Sequence, residues 1–130
     1  MPPPDISSVL TFFYHQFLVT PPLPTESCAG KTVAVTGANV GLGKESARHY
    51  VRLGAEKVIL ACRNVEAGRE AKEDIEKSEG RAGVCEVWSL DMCDYSSLKG
   101  FVERLNGLAR LDIVLLNAGK YTNREQRLQY

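Results

Sequence analysis

Between Lys31 and Glu45 the sequence reads KTVAVTGANVGLGKE. A short apolar run ends in Thr36-Gly37, two more glycines follow at Gly41 and Gly43, and a polar, helix-compatible segment begins. Three glycines alone are weak evidence, but between a strand and a helix they form the arrangement that cradles a dinucleotide diphosphate. Gly37 permits a sharp exit from the strand. Gly41 and Gly43 remove side chains where a diphosphate must approach the backbone and where helix and strand pack closely. The helix then offers unpaired N–H groups and the positive end of its dipole to the phosphates.

The elements that must hold this loop alternate in type. TVAV (Thr32 to Val35) reads as a strand, and Ala47, Tyr50, Val51 and Leu53 give helical spacing over Lys44 to Leu53. KVILAC (Lys57 to Cys62) is a fully buried strand. Val65 to Lys77 is a charged, solvated helix closed by Gly80. Val84 to Leu90 is a third strand. Asp94 can cap a helix from Tyr95 to about Leu108 whose apolar face holds Leu98, Phe101, Val102 and Leu105. DIVLL (Asp112 to Leu116) is a fourth strand. The β-α-β-α-β-α-β order with short links predicts an α/β protein with a parallel sheet, helices on both faces and right-handed crossovers. Continuous apolar strands agree, because such a sheet is covered on both sides.

Sixteen basic residues balance sixteen acidic ones, so no net field favours nucleic acid or an anionic membrane. The four cysteines lack C-x-x-C spacing and lie in or beside apolar runs, which suits reduced, buried thiols; with two distant histidines, no metal site is indicated. A reducing, cytoplasmic setting is the simplest expectation. Residues 1–30 form an apolar arm and a Pro-rich linker. VLTFFYHQFLV (Val9 to Val19) falls short of the ~20 apolar residues of a spanning helix. It lacks the basic start of a secretory signal. The arm is expected to pack on the domain as a short helix or extended segment, with weak membrane-surface contact as the alternative. TPPLPT (Thr20 to Thr25) breaks any helix and serves as a stiff linker.

The glycine spacing is T-G-x-x-x-G-x-G. Arg63 in ACRN ends the second strand, SLDM ends the third with Asp91, and LNAG (Leu116 to Gly119) ends the fourth. All lie at strand C-termini, where an open α/β sheet holds its ligand. Together these four motifs, over about Lys31 to Gly119, resemble the short-chain dehydrogenase/reductase family. The opening looks most like its retinol-dehydrogenase-like branch as found in fungi, often in natural-product pathways. The resemblance implies a Rossmann-like sheet of order 3-2-1-4. It implies that the backbone of Gly37, Asn39, Leu42 and Gly43 lines the diphosphate. Asp91 would contact the adenine, while Asn117, Ala118 and Gly119 would lie along the adenosine ribose and the sheet centre. Asp91 is alternatively a helix cap or turn acid, and Asn117 a left-handed turn residue. Leu116 replaces the first Asn of the family's usual Asn-Asn-Ala-Gly and is compatible with a strand.

Arg63 decides the nucleotide. A carboxylate after the second strand accepts from the 2′-hydroxyl of NAD, whereas an arginine forms charge-assisted bonds to a 2′-phosphate. Lys57 to Asn64 contains no acidic residue, so NADP is expected. Lys44 is either a helper to Arg63 or an ordinary exposed helix lysine.

In the family a Tyr-x-x-x-Lys pair with an upstream Ser carries the reaction, tens of residues beyond the Asn-Ala-Gly motif. The lysine and the cofactor's positive ring lower the tyrosine pKa, so that the phenol exchanges a proton while hydride moves. The sequence runs eleven residues past Gly119, in a polar tail (residues 120–130) unlike the family's continuation. Tyr95-Ser-Ser-Leu-Lys99 matches the letters but precedes the fourth strand, so no catalytic residue is assigned. The expectation is an NADP(H)-binding Rossmann half-domain over residues 31–119. It would belong to an oxidoreductase interconverting alcohols with ketones or aldehydes, the substrate being unreadable. The alternatives are a non-catalytic nucleotide-binding module and a truncated remnant that does not fold stably. The fourth strand would be an uncovered apolar edge and a route to self-association.

Overall fold

A computed structural model of the chain describes residues 5–20 and 22–119; the polar tail lies outside them. The elements run α1 (Ile6–Leu18), β1 (Thr32–Thr36), α2 (Gly41–Arg52), β2 (Lys57–Cys62), α3 (Val65–Glu79), β3 (Cys85–Ser89), α4 (Tyr95–Asn106) and β4 (Ile113–Leu115). The four strands form one parallel sheet in the order β3-β2-β1-β4, the topology expected from the sequence. All five residues of β1 are buried, because the sheet is covered on both faces. On one side α2 and α3 bring Ala47, Val51 and Ile75 onto Val33, Val35, Val58 and Leu60. On the other, α4 brings Phe101 and Leu105 onto Ala34, Ile59, Ala61 and Trp88.

Local chemistry sets the ends of the elements. The Asn64 side chain accepts from the Glu66 and Ala67 amides and starts α3, and Asp94 does the same for α4 through Ser96 and Ser97. Gly80 closes α3 in the left-handed region at φ 64°. β4 is shorter than the apolar run DIVLL suggests. The Asp112 amide still donates to the Thr32 carbonyl at 2.9 Å, but the Thr32 amide turns to the Asp112 carboxylate at 2.9 Å, and beyond Leu115 the Asn117 amide turns to a side chain of β1.

Two expectations are corrected. Cys28, Cys62 and Cys85 are buried thiols, but Cys93 is exposed, since it sits in the turn just before the Asp94 cap and outside any apolar run. The N-terminal arm is a helix, yet it does not pack on the domain. No residue of α1 is buried, and among the described residues α1 contacts none of the other elements. The proline-containing linker leads away from it, with the Pro24 carbonyl 3.1 Å from Nε2 of His49 on α2. Among the described residues, no helix is long and apolar enough to cross a membrane.

Candidate cofactor site

The C-terminal ends of all four strands border one cleft of about 430 Å³, a size suited to a small organic ligand. Its wall holds Gly37 and Asn39 after β1, Arg63 and Asn64 after β2, Leu90 to Cys93 after β3, and Asn117 to Gly119 after β4. Seven of the residues singled out in the sequence therefore meet in one place: Gly37, Asn39, Arg63, Asp91, Asn117, Ala118 and Gly119. Gly41, Leu42, Gly43 and Lys44 lie in the first turn of α2 rather than in the cleft wall. The Leu42 side chain lines a separate groove with Leu23, Pro24 and His49.

Two glycines are required by geometry. Gly37 turns out of β1 at φ 68°, and a Cβ there would stand 3.0 Å from Cα of Ala118. At Gly43 a Cβ would overlap the Gly37 carbonyl and lie 2.7 Å from Nδ2 of Asn117. The third glycine thus lets α2 close onto the loop and the end of β4. Val40, extended at φ −154°, precedes α2 with no side-chain cap, and no acid stands in the helix's first turn. α3 and α4 spend an Asn and an Asp on their first amides. α2 leaves its own open, the condition under which a helix start receives an anion.

Thr36 was not singled out in the sequence. Its side chain is buried, and its Oγ1 accepts from the amides of Asn117 and Ala118, both at 3.0 Å, while reaching the Leu115 carbonyl at 3.5 Å. One hydroxyl thereby joins the end of β1 to the Asn-Ala-Gly segment. Asn117 has a negative φ, like every non-glycine residue described, so the left-handed alternative does not hold. Its side-chain Nδ2 points to the Gly37 carbonyl at 3.5 Å, which places it between the two loops.

Asp91 is a turn acid that also borders the cleft. Its Oδ1 accepts from the Cys93 amide at 2.9 Å, a turn-forming bond, and its own amide donates to Ser97 Oγ at 2.9 Å. Among the described residues Oδ2 makes no hydrogen bond, and the residue borders the cleft. Arg63 is exposed at its rim, and the ion pairs of the described residues engage other cations. Lys44 is one of those. Its Nζ lies 2.7 Å from the Asp74 carboxylate on α3, which also takes Nη2 of Arg48 at 2.6 Å. The two cations pull the Asp74 carboxyl down to about 2. Lys44 is therefore directed to the α2–α3 seam, not to the cleft.

Other reactive groups near the cleft have quiet chemistry. Burial raises the Cys62 thiol, which donates to the Asn64 carbonyl at 3.2 Å, so it is a packing residue rather than a nucleophile. Tyr95 is 79% exposed, Lys99 pairs with Glu103 along α4 at 4.0 Å, and neither borders the cleft. No group of acids, cysteines and histidines that could hold a metal occurs among the described residues.

A parallel sheet with a glycine turn after its first strand, an open helix start and a cleft along the strand ends defines a nucleotide-binding α/β protein. The family model described as "short chain dehydrogenase" matches residues 31–129, and the chain belongs to that family. Among curated relatives, short chain dehydrogenase/reductase dmxR8 of Cryptosporiopsis is 52% identical over 110 residues, spanning 83% of this chain and 34% of the relative. Short-chain dehydrogenase anuD of Penicillium roqueforti is 45% identical over 124 residues, spanning 92% of this chain and 32% of that protein. The chain thus spans about a third of the length of these relatives. Among solved structures, menthone neomenthol reductase from Mentha piperita superposes with a TM-score of 0.63 at 32% identity, over 70% of this chain and 32% of that one. A Pseudomonas aeruginosa RhlG/NADP active-site complex does so with a TM-score of 0.64 at 28% identity, over 75% and 38%.

Proposed function

We propose that the chain forms the NADP(H)-binding part of a short-chain oxidoreductase acting between an alcohol and a ketone or aldehyde in a fungal natural-product pathway. The observation that carries the nucleotide choice is Arg63, an exposed guanidinium at the cleft rim that no ion pair among the described residues engages, on a strand end with no acid. NADPH, when bound, supplies the hydride. The residues of this chain bind and orient it. The open amides of α2 and the loop from Gly37 to Asn39 would take the diphosphate, Arg63 the 2′-phosphate, and the Asp91 carboxylate the adenine. The pathway assignment is supported by the fungal origin of the relatives, and the complex with NADP among the structural neighbours supports the nucleotide.

The test is a titration with NADPH and, separately, NADH, read by energy transfer from Trp88 on β3 to the reduced nicotinamide. Saturable transfer with NADPH preferred is expected; equal affinities, or preference for NADH, reject the NADP assignment. Arg63→Glu should weaken NADPH binding by about tenfold to a hundredfold, the value of a charge-assisted phosphate contact, while NADH binding changes little. A second reading is binding without turnover, with Tyr95 and Lys99, which lie away from the cleft, taking no catalytic role. Oxidation of NADPH by a panel of ketones and aldehydes separates the two. The proposal includes self-association through the outer edge of β4, where Val114 and Leu116 are exposed.

A further inference from the structure

We infer that Cys62 and Asn64 are positioning residues: together they fix the backbone on either side of Arg63 and so set how strongly the cleft prefers a 2′-phosphorylated nucleotide. This role rests on Arg63 taking the 2′-phosphate, as proposed above. An arginine on a loose loop must give up the freedom of its backbone and of a long side chain before it can grip a phosphate. At the end of β2 the backbone part of that freedom is already gone. The Cys62 carbonyl accepts from the Leu90 amide at 3.0 Å, which ties the strand end to the segment after β3. The Cys62 thiol spans Arg63 and donates to the Asn64 carbonyl at 3.2 Å. That same carbonyl accepts from the Gly68 amide at 3.0 Å, and the Asn64 side chain accepts from the amides of Glu66 and Ala67, both at 3.1 Å.

The sulfur itself is wedged in place. A Cβ on Gly68 would stand 2.6 Å from Cys62 Sγ and 2.6 Å from Cγ1 of Val87, so the first turn of α3 is seated directly on the thiol and on β3. Cys62 is buried, and burial keeps its thiol protonated, as a donor must be. Arg63, between these two anchored neighbours, is exposed at the rim of the cleft. Its mobile charge is thus carried by a backbone held on one side through Cys62 and on the other through the start of α3. A charge-assisted contact with a phosphate depends on direction as well as distance, so the same guanidinium on a slack backbone discriminates less. The 2′-hydroxyl of NADH offers no charge for Arg63 to grip, and slack there should leave NADH affinity nearly unchanged.

The experiment is titration of the full chain with NADPH and with NADH, repeated for Asn64→Ala, Asn64→Ser, Cys62→Ala and Cys62→Ser. Serine keeps the cap of α3 at position 64 and a donor at position 62, whereas alanine removes each. Both alanine variants should lose about threefold to tenfold of the preference for NADPH over NADH, the effect of having to immobilise one long side chain anew, and both serine variants should keep most of it. NADH affinity, read in the same samples, shows that each variant is folded. A cap or packing role alone would weaken both nucleotides alike. That result, or an unchanged ratio in either alanine variant, overturns the inference for that residue and leaves the NADP reading standing. A gain in NADPH affinity for Asn64→Ala also overturns it, because the freed amides of α3 would then be holding the phosphate. Where one alanine variant binds neither nucleotide, the alanine and serine pair at the other position decides. An unsubstituted chain that prefers NADH, or neither nucleotide, removes the NADP reading and the role of both residues with it.

Discussion

Replacing Thr36 with Val keeps its shape and removes a hydroxyl that accepts from two amides. The donors of Asn117 and Ala118 would then be unpaired beside a buried strand end, which costs about 1–3 kcal/mol each where water cannot replace the partner. Urea unfolding should show a loss of about 2 kcal/mol or more, with NADPH binding weakened in parallel; an unchanged midpoint would mean that water takes the hydroxyl's place. Asp74 makes a pH-dependent contribution. Its carboxyl falls from the ordinary 3.8 to about 2 because Lys44 and Arg48 favour the charged form. A depressed acid stabilises the fold above its unfolded pKa, and that contribution disappears as pH drops through the folded value. Asp74→Asn should therefore be less stable at neutral pH, and its stability should fall less steeply between about pH 4 and pH 2. Parallel acid limbs would show that the pair contributes nothing in solution. Thr36 escaped the sequence reading because its partners lie some eighty positions away, and a threonine at a strand end is unremarkable. The partner of Lys44 was likewise invisible, since it depends on how α2 crosses α3.

At the level of elements, the strands, the start of α4 and the end of α3 were legible because each rests on local chemistry, whereas the strand order came from the family resemblance. Apolar runs mark β1 to β4, Asp94 caps α4, and Gly80 ends α3. The seam between α2 and β1 was legible only as a glycine spacing. Gly43→Ala tests it, because the added methyl would strike the Gly37 carbonyl and Asn117. Overpacking of this kind should cost about 1–3 kcal/mol and should push α2 off the loop, so loss of NADPH binding is expected before loss of the fold. An alanine variant with native stability and affinity would show that the loop has slack. The behaviour of α1 was hidden for the opposite reason. Apolar periodicity says that a face seeks cover but not where the cover is. The preference for a packed arm assumed that the domain would provide it.

At the scale of the whole molecule, the described residues form a sheet with β3 at one edge and β4 at the other. They correspond to about a third of the curated relatives. Self-association should proceed through β4, since an unpaired apolar edge templates a further strand. Sedimentation velocity of the 130-residue chain should show concentration-dependent oligomers, reduced by Val114→Lys on the exposed side of β4. A clean monomer at all concentrations would sink that expectation. The hydroxyl of Thr36 adds a property that belongs to the molecule rather than to the residue. Because it ties β1 to the segment following β4, peeling the edge strand and opening the nucleotide cleft are one event. A bound nucleotide would then act as a latch on the sheet, and the exchange rate of the Ala118 amide would gauge how firmly that latch is shut.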